Sequence, residues 1–316
     1  MLNAFLIYKV ALMKASHNPQ IQTLISEPWA DYSLIDSGHG RKLERYGKIR
    51  VNRPEPQALW APSLPEAEWF KADAMFTNTG DEEGDSGKWK MEAGTPDFWA
   101  VQVGQKEDAV TCICRLMSFR HMGLFPEQTP HWDWMSHKIK AAGRPLNILN
   151  LFAYTGAASL AAARAGAQVT HLDASKKAIQ WAKDNQEASG LGEAPIRWIC
   201  DDAKAFVARE LRRGRTYDGI ILDPPKFGRG PDGERWQFEE DMGPFLKDCV
   251  SLLSDQPAFV LLTAYAMRFS SVSLAALLED SLGKRAGEID YGELLIRQEA
   301  GGRFLSTSLY ARWSAP

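Results

Sequence analysis

The chain has 316 residues, 45% of them hydrophobic and 24% charged, enough for one large domain or two ordinary ones with a core that needs no staples. Its 37 Lys and Arg against 40 Asp and Glu leave a net charge of -3, which excludes a uniformly basic nucleic-acid coat but not a local patch. Four cysteines with no CxxC pair exclude a disulfide framework and argue against a structural zinc cluster.

Residues 1–13 are apolar apart from Lys9. The run is too short to span a bilayer and lacks the charged leader and cleavage site of a signal peptide. With Cys112 and Cys114 read as reduced core thiols on one strand face, a cytoplasmic protein is expected. The chain then changes texture. Residues 1–120 read as a β-rich N-terminal domain, a candidate for substrate recognition, and residues 121–316 as a second domain. In the first, 98–103 and 109–117 are predicted neighbours in an antiparallel sheet. The polar stretch 77–97 is a loop or a long hairpin tip.

Within the first region, Arg41, Lys42, Arg45, Lys48, Arg50 and Arg53 face only Glu44. The Arg41–Arg53 segment is therefore a candidate RNA phosphate contact, weighed evenly against a plain solvated face. His131 and His137 lie near Trp132 and Trp134, but no third ligand is near, so packing is expected there and no metal. The run Arg209, Arg212, Arg213 and Arg215 ends a helix and reads as a dipole complement.

From about residue 145 strands alternate with helices. The strands are 147–152, 168–173, 196–202, 218–223 and 258–265, each a short apolar run. Helices are predicted at 157–165, 175–188, 203–213, 241–253 and 271–280. The last two strands, 292–297 and 303–313, have no helix between them. This order predicts an α/β doubly wound sheet of five parallel strands plus a C-terminal antiparallel hairpin, the arrangement of class I methyltransferases.

Ligands in such sheets sit beyond the carboxyl ends of the strands. The first end runs into Asn150-Leu151-Phe152-Ala153-Tyr154-Thr155-Gly156, with one glycine and no G-x-G-x-x-G phosphate cradle. Gly156 is expected to let a ligand pass close to the backbone. Asp173 is placed to accept from ribose hydroxyls, and Asp202 from an adenine amine with the Ala203 amide beside it. A plain helix N-cap remains the alternative for either carboxylate. A nucleoside held without a phosphate cradle points to S-adenosylmethionine rather than to a dinucleotide. The fourth end is Asp223-Pro224-Pro225-Lys226-Phe227. Its prolines stiffen the chain and turn carbonyls outward, so that Asp223 and a Pro224 or Pro225 carbonyl can grip an amine while Phe227 stacks on a base.

The runs NLFAYTG, HLDAS and DPPKFGRG, with GLFPEQ upstream and 34–60 in front, resemble the bacterial 23S ribosomal RNA large-subunit methyltransferase family over residues 30–313. The resemblance implies an S-adenosylmethionine-dependent enzyme that methylates a base of ribosomal RNA. It implies that Asn150, Phe152, Tyr154, Thr155 and Gly156 line the cofactor pocket. Asp173 would hold the ribose, Asp202 the adenine, Gln128 the methionine end, and Asp223 would lie near the methyl donor. Relatives that methylate pyrimidine C5 carry a cysteine after the fifth strand; here 261–270 has none, so no covalent Cys intermediate is expected. Lys226, not an aromatic residue, directly follows the two prolines. A small-molecule or protein methyltransferase, or a non-catalytic nucleoside-binding protein, stays open as an alternative.

Overall fold

Strand β1 (Gln22–Ser26) pairs in parallel with a strand some 270 residues further on, with Gln22 opposite Gly292. The computed structural model describes residues 20–78, 86–104, 106–265 and 267–316, so the apolar stretch 1–13 and the acidic run 81–85 lie outside the described residues. Next come β2 (Tyr32–Gly38), β3 (Arg41–Tyr46), β4 (Ile49–Pro54), β5 (Ala74–Asn78) and β6 (Gly87–Met91), one five-stranded sheet in sequence order. The stretch 77–97, read as a loop or hairpin tip, supplies one arm of the antiparallel β5–β6 pair.

β7 (Phe98–Val103) and β8 (Val110–Arg115) form the expected antiparallel pair. The second edge of β8 is not left bare. Ile113 N–H donates to Asn185 Oδ1 at 2.8 Å, Trp181 Nε1 donates to the Ile113 carbonyl at 2.7 Å, and Thr111 N–H donates to Ser189 Oγ at 2.8 Å. These partners sit on helix Lys176–Ala188 and its C-cap, so satisfaction of buried backbone groups ties the hairpin to the second half of the chain.

After helix Thr129–Ala141 the alternation runs as expected. β9 (Asn147–Leu151), β10 (Gln168–Asp173), β11 (Ile196–Cys200), β12 (Gly219–Leu222) and β15 (Phe259–Tyr265) are parallel. A short ribbon, β13 (Phe227–Arg229) with β14 (Arg235–Gln237), interrupts them. β16 (Glu288–Arg297) and β17 (Phe304–Ser314) close the sheet as the predicted antiparallel hairpin. The full order is β1-β16-β17-β15-β12-β9-β10-β11. Alternate residues of one strand go to opposite faces. Ile148 thus joins the core shared with the front strands and helix Thr129–Ala141, whereas Leu149 and Leu151 join the core beneath helix Phe238–Ser251.

β9 lies between β10 and β12. The chain winds one way from β9 to β11 and the other way from β12 to β15. Their carboxyl ends therefore open a crevice at the switch point.

Candidate active site

The turn leaving β9 is held in an unfavourable backbone conformation. Phe152, Tyr154 and Gly156 have φ of +57°, +48° and +86°. The first two are bulky residues in the left-handed region, which costs about 1–3 kcal/mol each and persists only when the surroundings over-determine it. Those surroundings are specific. Tyr154 N–H donates to Asp173 Oδ2 at 2.8 Å, and Ala153 N–H to the Leu172 carbonyl at 3.0 Å. The Phe152 ring packs 4.9 Å from Trp236 and 5.9 Å from Phe245. Tyr154 packs 5.8 Å from Phe125 and 6.0 Å from Trp181. Thr155, buried, donates from Oγ1 to the Gly123 carbonyl at 2.6 Å. Such outliers gather at ligand clamps.

Gly156 has a structural reason beside the one read in the sequence. A Cβ there would lie 3.0 Å from Ala182 Cβ and 3.5 Å from the His171 ring. The glycine serves its positive φ and the close approach of the next helix. Asn150 is also removed from the crevice floor: it is buried and donates from Nδ2 to Ser159 Oγ at 2.9 Å, which in turn bonds His171 Nδ1 at 2.9 Å. It braces the turn from below.

Asp173 ends β10 and uses each oxygen once. Oδ2 accepts from Tyr154 N–H and Oδ1 from Ser175 N–H, both at 2.8 Å. Burial raises its pKa, against the lowering effect of those two amides. Ser175, not Asp173, caps helix Lys176–Ala188. Asp202 is buried and does cap its helix, Ala203–Arg212: Oδ1 accepts from Ala205 N–H at 2.8 Å. Ala203 is the first residue of that helix.

Across the crevice, the 3-10 turn Pro126–Gln128 faces the end of β12. Gln128 Nε2 donates to Asp223 Oδ2 at 3.2 Å. Burial, with a smaller contribution from the negative charge of Glu127, pushes the Asp223 carboxyl up to about 7. Pro224 is buried. The Pro225 carbonyl does not point free, as the prolines led us to expect: it accepts from Trp236 Nε1 at 2.7 Å. Phe227 is 61% exposed, with the Lys226 ammonium 5.3 Å from its ring centre. Trp236 and Glu127 were not singled out from the sequence. Trp236 belongs to a strand of three residues, too short to show a periodicity.

The Arg41–Arg53 segment is not an open basic surface. Arg53 and Glu44 are buried together at 2.6 Å, and Lys42 pairs with buried Glu55 at 3.0 Å. Arg41 donates to the Asn52 and Phe76 carbonyls, and Arg45 to those of Ala30 and Gly47. Lys48 is the exposed cation of the run, and Arg50 is half-buried. His131 is buried against Tyr310, as packing required, with burial holding its pKa down to about 3. Among the described residues no group of His, Cys, Asp or Glu could hold a metal ion, and no helix is long and apolar enough to cross a membrane.

A switch-point crevice lined by carboxylates, with no phosphate cradle, defines the class I methyltransferase fold and the kind of site it carries. A family model described as S-adenosylmethionine-dependent methyltransferase matches residues 107–251. A crystal structure titled as the SAM-dependent methyltransferase from Agrobacterium tumefaciens is 47% identical, covers 95% of each chain and superposes with a TM-score of 0.88. The chain belongs to the S-adenosylmethionine-dependent methyltransferase family. A Streptococcus mutans chain, 16% identical with a TM-score of 0.68 over 96% of this chain and 78% of its own, shows the same fold. The ribosomal RNA large subunit methyltransferase K/L of Shewanella frigidimarina is 38% identical over 49% of this chain and 21% of its own length. The ribosomal RNA large subunit methyltransferase I of Shewanella denitrificans is 39% identical over 26% of this chain and 21% of its own. The resemblance read from NLFAYTG, HLDAS and DPPKFGRG is borne out. The chain spans about a fifth of the length of these curated relatives.

Proposed function

We propose that this protein transfers a methyl group from S-adenosylmethionine to a base of ribosomal RNA, without a covalent cysteine intermediate, in the cytoplasm. The observation that carries the reading is the Gln128–Asp223 pair facing the strained Phe152–Gly156 turn across the switch point. Residues 121–316, with β1 completing their sheet, would do the chemistry, and the rest of residues 1–120 would take part in recognising the substrate.

The polar groups present fit the cofactor. An ionised carboxylate has about four acceptor sites, and backbone amides account for two on Asp173. The rest suit a ribose diol, whose two hydroxyls would relieve the burial cost that raises this group's pKa. Asp202 keeps Oδ2 for an exocyclic amine, beside the Ala203 amide. Phe152, Tyr154, Thr155 and Gly156 shape the wall, Asn150 braces it, and Gln128 covers the amino-acid end. When bound, the cofactor supplies a methyl group already activated by a sulfonium charge, so positioning carries much of the rate. Asp223 orients the target amine and accepts its proton, with Pro224 and Phe227 shaping its approach. A carboxyl with a pKa near the working pH is suited to that exchange.

Transfer of labelled methyl from S-adenosylmethionine into ribosomal RNA from a strain lacking the gene tests the proposal. Label in RNA supports it; label only in protein or small-molecule fractions overturns it. A protein or small-molecule substrate is favoured by one observation: the cations of the Arg41–Arg53 segment are largely consumed inside the fold.

A further inference from the structure

We propose that the β13–β14 ribbon, residues 226–237, is the surface that grips RNA beside the reaction site, with Lys226 and Arg229 on phosphate and Phe227 on a base flanking the target. This rests on the RNA reading above and relocates its interface. The ribbon springs directly from Asp223-Pro224-Pro225. Its register sets Phe227 opposite Gln237, Gly228 opposite Trp236 and Arg229 opposite Arg235. Alternation then divides the ribbon into two faces.

One face is the anchor. Trp236 is buried, bonded to the Pro225 carbonyl at 2.7 Å and packed 4.9 Å from Phe152 and 5.3 Å from Phe245. Gly228 sits beside it, leaving room for the Pro225 ring. The other face presents Phe227, Arg229 and Arg235, all exposed. The ribbon therefore cannot turn its aromatic and basic face inward without pulling Trp236 out of the core.

The cations on that face, and half-buried Lys226 just ahead of β13, differ in how committed they are. Arg235 is bonded to Gln237 and lies 3.8 Å from Glu240. Arg229 makes no side-chain hydrogen bond or ion pair among the described residues, and Lys226 lies only over the Phe227 ring. The acidic residues of the tip are partly withdrawn: Glu234 folds its carboxylate back onto Asp232 N–H at 3.0 Å. An exposed aromatic ring flanked by two uncommitted cations offers a stacking platform and backbone charge, the combination that binds unpaired RNA. The contrast with β3 and β4 lies in Arg41, Lys42, Arg45 and Arg53, which are spent on Glu44, Glu55 and backbone carbonyls.

Binding of the full chain to purified large-subunit ribosomal RNA, measured across a salt series, tests this. Each phosphate contact contributes about 0.7 to 0.9 to the slope of log affinity against log salt. Arg229→Ala and Lys226→Ala should each lower the slope by about that amount while leaving calorimetric affinity for S-adenosylmethionine unchanged. Phe227→Ala should weaken RNA binding by about tenfold with the slope intact. Lys48→Ala should change neither. An unaltered slope in Arg229→Ala and Lys226→Ala, from a wild type that does methylate RNA, overturns the ribbon assignment alone. A wild type that neither binds nor methylates RNA overturns the RNA reading with it.

Discussion

Gln128 and Asp223, 95 positions apart, meet across the mouth of the crevice through a single 3.2 Å hydrogen bond from Nε2 to Oδ2. One donor does not offset the cost of burial, and Glu127 adds repulsion, so Asp223 is held at about 7 against an ordinary 3.8. Methyl transfer should therefore rise with pH through a midpoint near 7, and Asp223→Asn should abolish it. The same shift acts on folding. The native state binds this proton more tightly than the unfolded chain, so the group's stabilising contribution is complete below about pH 3.8 and is lost as pH rises through 7. Urea denaturation at pH 5 and pH 8 should show Asp223→Asn gaining on the wild type at the higher pH. A difference independent of pH would show that Asp223 is solvated.

Asp173 holds the turn and is proposed to hold the ribose, and two substitutions separate the roles. Asp173→Ala removes both acceptors and should weaken S-adenosylmethionine binding more than tenfold, corresponding to about 1.5–3 kcal/mol for hydrogen bonds to a charged group. Asp173→Asn keeps one carbonyl acceptor for Tyr154 or Ser175 N–H. It should retain most of the folding stability yet still lose most of the affinity. Calorimetry beside thermal denaturation reads the two effects; equal calorimetric affinity in wild type and both variants sinks the pocket assignment.

The parallel strands were legible because burial on both faces leaves a nearly unbroken apolar run, as in Ile220 to Leu222 or Val260 to Leu262. β1 was not. Its residues are half polar, and it is held by backbone pairing to an edge near the opposite end of the chain, a relation no local pattern encodes. The candidate site was legible at strand ends, where Asp173, Asp202 and Asp223 stand out against apolar neighbours. The braces behind them were not, since Asn150–Ser159–His171 is a contact between elements. The Arg41–Arg53 reading failed for a countable reason. Glu55, the partner of Lys42, lies two residues beyond the window in which the charges were weighed.

Gly156→Ala tests whether the glycine answers to backbone geometry rather than to an approaching ligand. At φ +86° a Cβ costs about 1–2 kcal/mol, and the 3.0 Å approach to Ala182 adds crowding. The variant should be destabilised in denaturant titration even without cofactor. Adding Ala182→Gly should recover only the crowding part, since φ is unchanged. A Gly156→Ala protein of wild-type stability that fails only in cofactor binding would restore the ligand-passage explanation.

Arg53 separates structural charge from surface charge most sharply. Its guanidinium donates to both Glu44 oxygens and to the Tyr46 hydroxyl, all three side chains being buried. For Glu44, burial alone would raise the pKa, but the charges of Arg53 and Lys42 with the hydrogen bonds from Arg53 and Tyr32 outweigh it and hold the carboxyl down at about 2. A folded value below the ordinary 4.5 means the contribution is present above that pH and is lost as pH falls from 4.5 toward 2. Arg53→Met leaves the Glu44 carboxylate buried without its partner, a loss of about 3–5 kcal/mol. Lys48→Ala, on the same segment but in solvent, should stay within about 0.5 kcal/mol of wild type. The double variant Arg53→Met/Glu44→Leu removes both charges and should recover much of the single variant's loss, because a buried pair is often no better than an apolar replacement of similar size. Recovery must also carry a pH signature: the double variant should lack the Glu44-linked loss of stability between pH 4.5 and 2. If Arg53→Met proved as mild as Lys48→Ala, Arg53 would be solvated, and the Arg41–Arg53 segment would return as a candidate phosphate contact.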